Sequence, residues 1–204
     1  MLLDVHPENP NPRDIQTIVE ILQNNGVIIY PTDTVYALGW DIDSAKAFDR
    51  VVLLKGKEAR KEQFSMICSD ISQATSYTMP LPNPVFRLMK RNLPGPFTFI
   101  LPANTNVPRF YKQKKKTVGI RIPAHKVPQA IVEALGHPIM TTSLHQPGDT
   151  IQGYFSDASL LHDEYEKQVG AVVNGGYGHL QPSTVVDCTG SEPEIVRQGM
   201  GELM

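Results

Sequence analysis

Short apolar runs rich in β-branched side chains alternate along this chain with segments whose apolar residues recur at helical spacing. The runs are "VIIY" at 27–30, "FSMIC" at 64–68, "FTFIL" at 97–101, "VGIRI" at 118–122, "IMTTS" at 139–143, "AVVN" at 171–174 and "STVVD" at 183–187. Runs this short between turn signals predict buried strands. Between them, "NPRDIQTIVEILQNNG" has Asn11 to cap, Pro12 for the first turn, an apolar stripe of Ile15, Ile18, Val19 and Leu22, and Gly26 to stop it. Further helices are predicted from Ser44 to Leu54, from Pro84 to Asn92 with Asn83 as cap, from Val127 to Gly136, and near Asp157 to Gln168; "EIVR" at 194–197 predicts a last strand. The alternation predicts an α/β (α+β) fold, a twisted mixed sheet flanked by helices on both faces. No repeat, low-complexity segment or long linker divides residues 1–204, so a single domain is expected.

Charge and cysteine usage narrow the function classes. A net charge of −2 provides no global field toward nucleic acid or anionic membrane. The one dense basic stretch, "RFYKQKKK" from Arg109 to Lys116, is expected to be a solvated loop. Cys68 and Cys188 sit in strand-like runs without metal-ligand spacing and are expected as buried thiols in a reducing cytoplasm. No protein-held metal is expected. The N-terminus does not resemble a signal peptide, and no apolar run is long enough to span a bilayer.

Polar residues collect where the apolar runs end. "IIYPTDTVYALG" passes from a buried run through Pro31 to Thr32, Asp33 and Thr34 before turning apolar again. Buried polar groups are costly without partners, so the triplet needs partners that the run itself does not supply. Lys55 and Lys57 follow a helix, Arg121 sits inside an apolar run, Thr141, Thr142 and Ser143 end another, Ser183 precedes one and Arg197 ends the last. Strand ends in open α/β sheets border ligand crevices, and hydroxyls converging with these cations suit a phosphate and a carboxylate. The phosphate-loop, dinucleotide-binding, nucleophile-elbow and zinc-protease motifs are all absent, so an ATP site here would be of another type.

The ordered segments "YPTDTVYALG", "KGK", "LPGPFTFIL", "VGIRIPAHKVPQAIVEALGHPIMTTS", "PSTVVD" and "VRQG" resemble the YrdC-like domain of the L-threonylcarbamoyl-AMP synthase superfamily. "FSMIC", "TTSL" and "NGGYGHLQPSTVVD" are most similar to its YciO branch. The resemblance implies a YrdC-like fold with a concave basic cavity. It also implies a nucleotidyltransferase reaction in which threonine, bicarbonate and ATP with Mg²⁺ give L-threonylcarbamoyl-AMP and pyrophosphate, for N6-threonylcarbamoyladenosine in tRNA. Carried over by residue, it places Thr32, Arg121 and Ser183 at the threonine, with Arg121 on its carboxylate, and so implies that ligand and crevice water satisfy the polar triplet. Lys55, Lys57, Ser143, His145 and Arg197 fall at the nucleotide, and Lys55, Lys57 and Ser143 among the catalytic positions.

Three motifs depart from the family pattern, one of them the strand "EQFSMICSD", which lacks the family's proline and histidine. Lys57 stands where the family has arginine, keeping charge but losing the planar fork. His145 stands where it has asparagine. A non-catalytic or weakly catalytic paralogue that binds double-stranded RNA, tRNA or nucleotide is therefore the alternative reading.

Overall fold

The computed structural model describes residues 1–56, 64–111, 116–144 and 156–204. Among the described residues, ten strands join one mixed sheet in the order β1-β8-β2-β3-β7-β4-β6-β5-β9-β10. They are β1 (Leu2–Asp4), β2 (Val27–Tyr30), β3 (Ala37–Asp41), β4 (Ser65–Ile67), β5 (Phe97–Pro102), β6 (Thr117–Arg121), β7 (Ile139–Ser143), β8 (Ala171–Asn174), β9 (Thr184–Asp187) and β10 (Glu194–Arg197). β1, β8 and β2 run parallel, as do β4 with β6 and β5 with β9; the other neighbours are antiparallel.

Period-two alternation divides the buried apolar strand residues between two cores. Ile29, Leu38, Trp40, Met66, Phe99, Ile120, Met140 and Val172 face one side. There they meet α2 (Ala45–Lys55), α4 (Asn83–Asn92) and α6 (Ala158–Tyr165) through Phe48, Val51, Val85, Met89 and Leu161. Ile28, Tyr30, Ala37, Ile67, Ile139 and Val173 face the other side, under Ile15, Ile18 and Leu22 of α1 (Pro12–Gln23) and Val127, Ile131 and Leu135 of α5 (Lys126–Leu135). Helices thus cover both faces, as the alternation predicts.

The caps follow the sequence at three sites and depart from it at two, the start of α4 and the end of α1. At the end of α1, Asn24 is the cap and Asn25, not Gly26, takes the left-handed turn at φ 61°. Asn11 Oδ1 accepts from Arg13 N–H, Ser44 Oγ from Ala47 N–H, and Gly136 closes α5 at φ +82°. At α4 the helix already includes Asn83, and Pro82 holds the cap position without a side-chain bond. Pro84 suits the first turn wherever the cap falls, so the segment does not distinguish the two starts. The structure adds β1, β3, the short helix α3 (Ile71–Thr75) and a 3₁₀ turn at Arg109–Tyr111. That turn lies where a solvated loop is expected, but Tyr111 is anchored. Its hydroxyl accepts from Trp40 Nε1 at 2.7 Å, and its ring packs edge-on to Phe48 at 5.0 Å. The lysine run that follows is outside the described residues from Lys112 to Lys115.

Gly39 is fixed by a close approach. Tyr30 on β2 lays its ring across β3 at Gly39, and its hydroxyl reaches Thr141 on β7 at 2.7 Å. Thr141 Oγ1 donates to Leu38 O, so Tyr30 is the donor in that pair. A Cβ on Gly39 would lie 2.7 Å from Tyr30 Cε1 and 3.3 Å from Ile139 Cδ1. Because the ring is tethered at its far end, Gly39→Ala should cost about 2 kcal/mol. Urea unfolding checks this, and Tyr30→Leu in the same chain should recover part of the loss.

Burial pushes the Tyr30 hydroxyl up to about 12 from its ordinary value of 10.0, partly offset by the Thr141 bond. The folded state therefore holds this proton more tightly than the unfolded chain. Its contribution is complete below pH 10 and is lost as pH rises toward 12, a change on the order of 2 kcal/mol. Urea midpoints followed by circular dichroism should fall across that window, and Tyr30→Phe should flatten the fall.

Candidate functional site

α1 and α5 cover only part of their face of the sheet. Beyond them the bare sheet floors a cavity of about 180 Å³, lined by hydroxyls and two arginines. Ser65 on β4, Thr98 on β5, and Thr141 and Ser143 on β7 belong to the floor and walls, with Val35, Ile100 and Val185 as its apolar part. Each strand hydroxyl alternates with core residues: Phe97 and Phe99 flank Thr98, and Phe64 and Met66 flank Ser65, all four in the opposite core. The crevice therefore lies on the face of the sheet, whereas the sequence pattern predicts it at the strand ends. A hydroxyl within an apolar run is the signal that could have found Ser65 and Thr98 beforehand.

Arg121, the last residue of β6, is 5% exposed and lines this cavity. Its Nη2 donates to Asp33 Oδ1 at 3.1 Å and to Thr34 Oγ1 at 2.9 Å. Asp33 Oδ2 accepts from the Ala124 N–H at 2.9 Å. The ion pair is nearly dry, with side chains 6% and 8% exposed. The turn at 31–36 is thereby pinned to β6, although β7 and β4 lie between β3 and β6 in the sheet. Arg121 Nε is buried and has no hydrogen-bond partner among the described residues.

These contacts answer the polar triplet differently from the expectation that ligand and water satisfy it. Thr32 is buried, and its single hydroxyl proton goes to Val35 O at 2.8 Å. The same oxygen accepts from the Thr34 N–H and, at 3.1 Å, from the Thr34 hydroxyl. A directed chain thus runs from Arg121 through Thr34 and Thr32 to a backbone carbonyl, each bond polarising the next. Thr32 lies behind the cavity wall.

Ser183 and Arg197 form the facing wall with Pro182. Ser183 Oγ pairs with Thr98 Oγ1 at 2.8 Å, and Arg197 Nη2 donates to Ser183 O at 2.8 Å. The strand-crossing segment that carries Ser183 is strapped to the polar turn. His179 N–H donates to Thr34 O, and Tyr36 Oη donates to Gly176 O at 2.7 Å. Lys55 reaches the rim, where its Nζ donates to Thr142 Oγ1 at 3.1 Å. Of the residues expected at the site, Arg121, Ser143, Ser183 and Arg197 line one cavity and Lys55 stands at its rim. Lys57 and His145 lie outside the described residues.

Removing one partner of a buried ion pair strands the other charge. Arg121→Ala leaves Asp33 with the Ala124 amide alone and takes the donor from Thr34. Cavity water relieves part of the penalty, so a loss of about 3 kcal/mol is expected. Denaturant unfolding measures it, and a loss under 1 kcal/mol would show the pair to be dispensable.

A family model for Sua5, YciO and YrdC proteins, described as telomere recombination, matches residues 20–199. The chain is 41% identical to YciO of Escherichia coli (strain K12), an uncharacterized protein, over 98% of this chain and 95% of that one. The crystal structure of E. coli YciO superposes with a TM-score of 0.92, covering 99% of this chain and 97% of the other. A threonylcarbamoyl-AMP synthase of Halorhodospira halophila is 33% identical over 88% of this chain and 92% of its own. Sua5 of P. abyssi, solved in complex with L-threonine, is 25% identical with a TM-score of 0.86, over 98% of this chain and 57% of Sua5. Among the described residues no helix is long and apolar enough to cross a membrane. Matched in sequence and in fold along nearly its whole length, the chain belongs to the Sua5–YciO–YrdC family.

Proposed function

We propose that the cavity binds threonine and, across its rim, ATP, and that the protein joins them through a carbamate to give L-threonylcarbamoyl-AMP and pyrophosphate. The observation that carries this reading is Arg121, an arginine on the wall of a hydroxyl-lined cavity with its Nε unpartnered. A fold relative of 25% identity is known in complex with L-threonine, and a relative of 33% identity is a threonylcarbamoyl-AMP synthase. The volume of about 180 Å³ is below the roughly 300–1,000 Å³ of pockets for drug-sized ligands. It suits an amino acid, and the nucleotide lies over the rim.

Arg121 would take the threonine carboxylate, a charge-assisted contact. The Ser183 and Thr98 hydroxyls would meet its polar groups, and Val35, Ile100 and Val185 its methyl. Threonine's amine and carbon dioxide from bicarbonate form the carbamate with release of a proton. A carbamate oxygen then attacks the α-phosphorus of ATP in line, and the bond to pyrophosphate breaks. Ser143, Lys55 and Arg197 would hold the nucleotide, so the protein would contribute positioning and charge neutralisation. No carboxylate is among the described residues that line the cavity; Mg²⁺ would arrive on the phosphates of ATP as part of the substrate. The adenylate would then serve tRNA modification.

Incubating the protein with ATP, Mg²⁺, threonine and bicarbonate should release pyrophosphate only when both threonine and bicarbonate are present. Mass spectrometry should detect the mixed adenylate. Arg121→Lys should raise the threonine KM by about tenfold or more, because a single ammonium cannot keep the Asp33 and Thr34 bonds and also offer separate donors to the ligand. Threonine and ATP binding without any pyrophosphate would instead establish a binding paralogue.

A further inference from the structure

Of the two arginines that line the cavity, Arg121 does not present a full positive charge to it. Arg121 donates through Nη2 to Asp33 at 3.1 Å, and the two side chains are 6% and 8% exposed. Asp33 is held from its other oxygen by the Ala124 amide, three residues beyond Arg121. It cannot swing away without breaking both bonds. Asp33 is also absent from the cavity lining, where Arg121 stands in front of it. A ligand at this end therefore meets guanidinium donors whose charge is already balanced from behind.

We propose that Asp33 is a positioning residue which, through Arg121, makes this end of the cavity select ligands by charge, admitting the single carboxylate of a neutral zwitterion and turning away a dianion. The proposal rests on the reading of the cavity as an amino-acid site and adds to it the basis of selection. One carboxylate at Arg121 gives two negative charges around one positive. At the binding step a zwitterion offsets the excess with its own ammonium group, before that nitrogen becomes the carbamate. A phosphate dianion has no such offset and adds a second negative charge a few ångströms from Asp33, where weak screening makes each charge count. Asp33 and Thr34 occupy Nη2, so the ligand must use the remaining donors, among them the unpartnered Nε.

Calorimetry with inorganic phosphate and with threonine, at fixed ionic strength and pH 7.5, tests this on the full chain. Asp33→Asn should tighten phosphate binding on the order of tenfold while threonine affinity stays within about threefold, because one nearby negative charge is gone. Asp33→Glu should restore exclusion of phosphate. In the double variant Asp33→Asn with Arg121→Ala the gain should vanish, which places it at Arg121 and not at Arg197 or Lys55. Asp33→Ser removes the same charge with a smaller side chain and should reproduce the gain if the amide folds poorly. A merely structural Asp33 would weaken both ligands together and leave their ratio unchanged. That outcome, or phosphate affinity that is unchanged or undetectable in both neutral variants, overturns the proposal. A wild-type chain that binds no threonine removes the amino-acid reading, while the phosphate comparison still judges Asp33.

Discussion

An arginine buried in an apolar strand has to find an anion, and the partner that Arg121 finds organises the molecule around it. Burying either charge alone would cost several kcal/mol. The pair instead joins the turn after β2 to the end of β6, with β7 and β4 between β3 and β6 in the sheet. That contact makes the polar turn one wall of the cavity. It orders Thr34 and Thr32 into a line of hydroxyls, and through Thr34 O it holds the segment that brings in Ser183. The turn, the strand end and the crossing segment are a single polar assembly with an arginine at its centre.

The rest of the cavity follows from what the helices leave bare. Two cores lie on opposite faces of the sheet, and α1 with α5 is too small to cover its whole face. A bare sheet face must be polar, and alternation supplies Ser65, Thr98 and Thr141 there without disturbing the core behind. Depth is set where β4 and β6 pair at Ser65 and Gly119: a Cβ on Gly119 would come within 3.1 Å of the Ser65 Cβ. Rigidity comes from behind, where Trp40, Phe48, Phe64 and Tyr111 pack ring to ring beneath the same strands.

Family membership and chemistry stand at different distances from these observations. The match to YciO covers nearly both chains, so the fold and the family are secure together. A relative at 33% identity is a threonylcarbamoyl-AMP synthase, and one at 25% identity is solved with L-threonine. The cavity's own composition is the independent support: two arginines and a set of hydroxyls, without a carboxylate among the described lining residues, suited to anions that carry hydrogen-bonding groups.

The sequence by itself determined the local structure and the family. Asn11, Ser44 and Gly136 announced their caps because capping is a matter of neighbouring residues, and the apolar runs announced a mixed sheet. It left the start of α4 open, since Asn83 and Pro84 suit two starts equally, and β3 was hidden because "YALGWD" follows a polar turn and contains a glycine. Arg121, Ser143, Ser183 and Arg197 were legible as site candidates, each a polar residue in or beside an apolar run. Only the tertiary structure decided that the crevice lies on the sheet face and that Asp33, 88 residues from Arg121, is its partner. Strand order and the extent of helix cover made those choices, and both are long-range properties that no local spacing encodes.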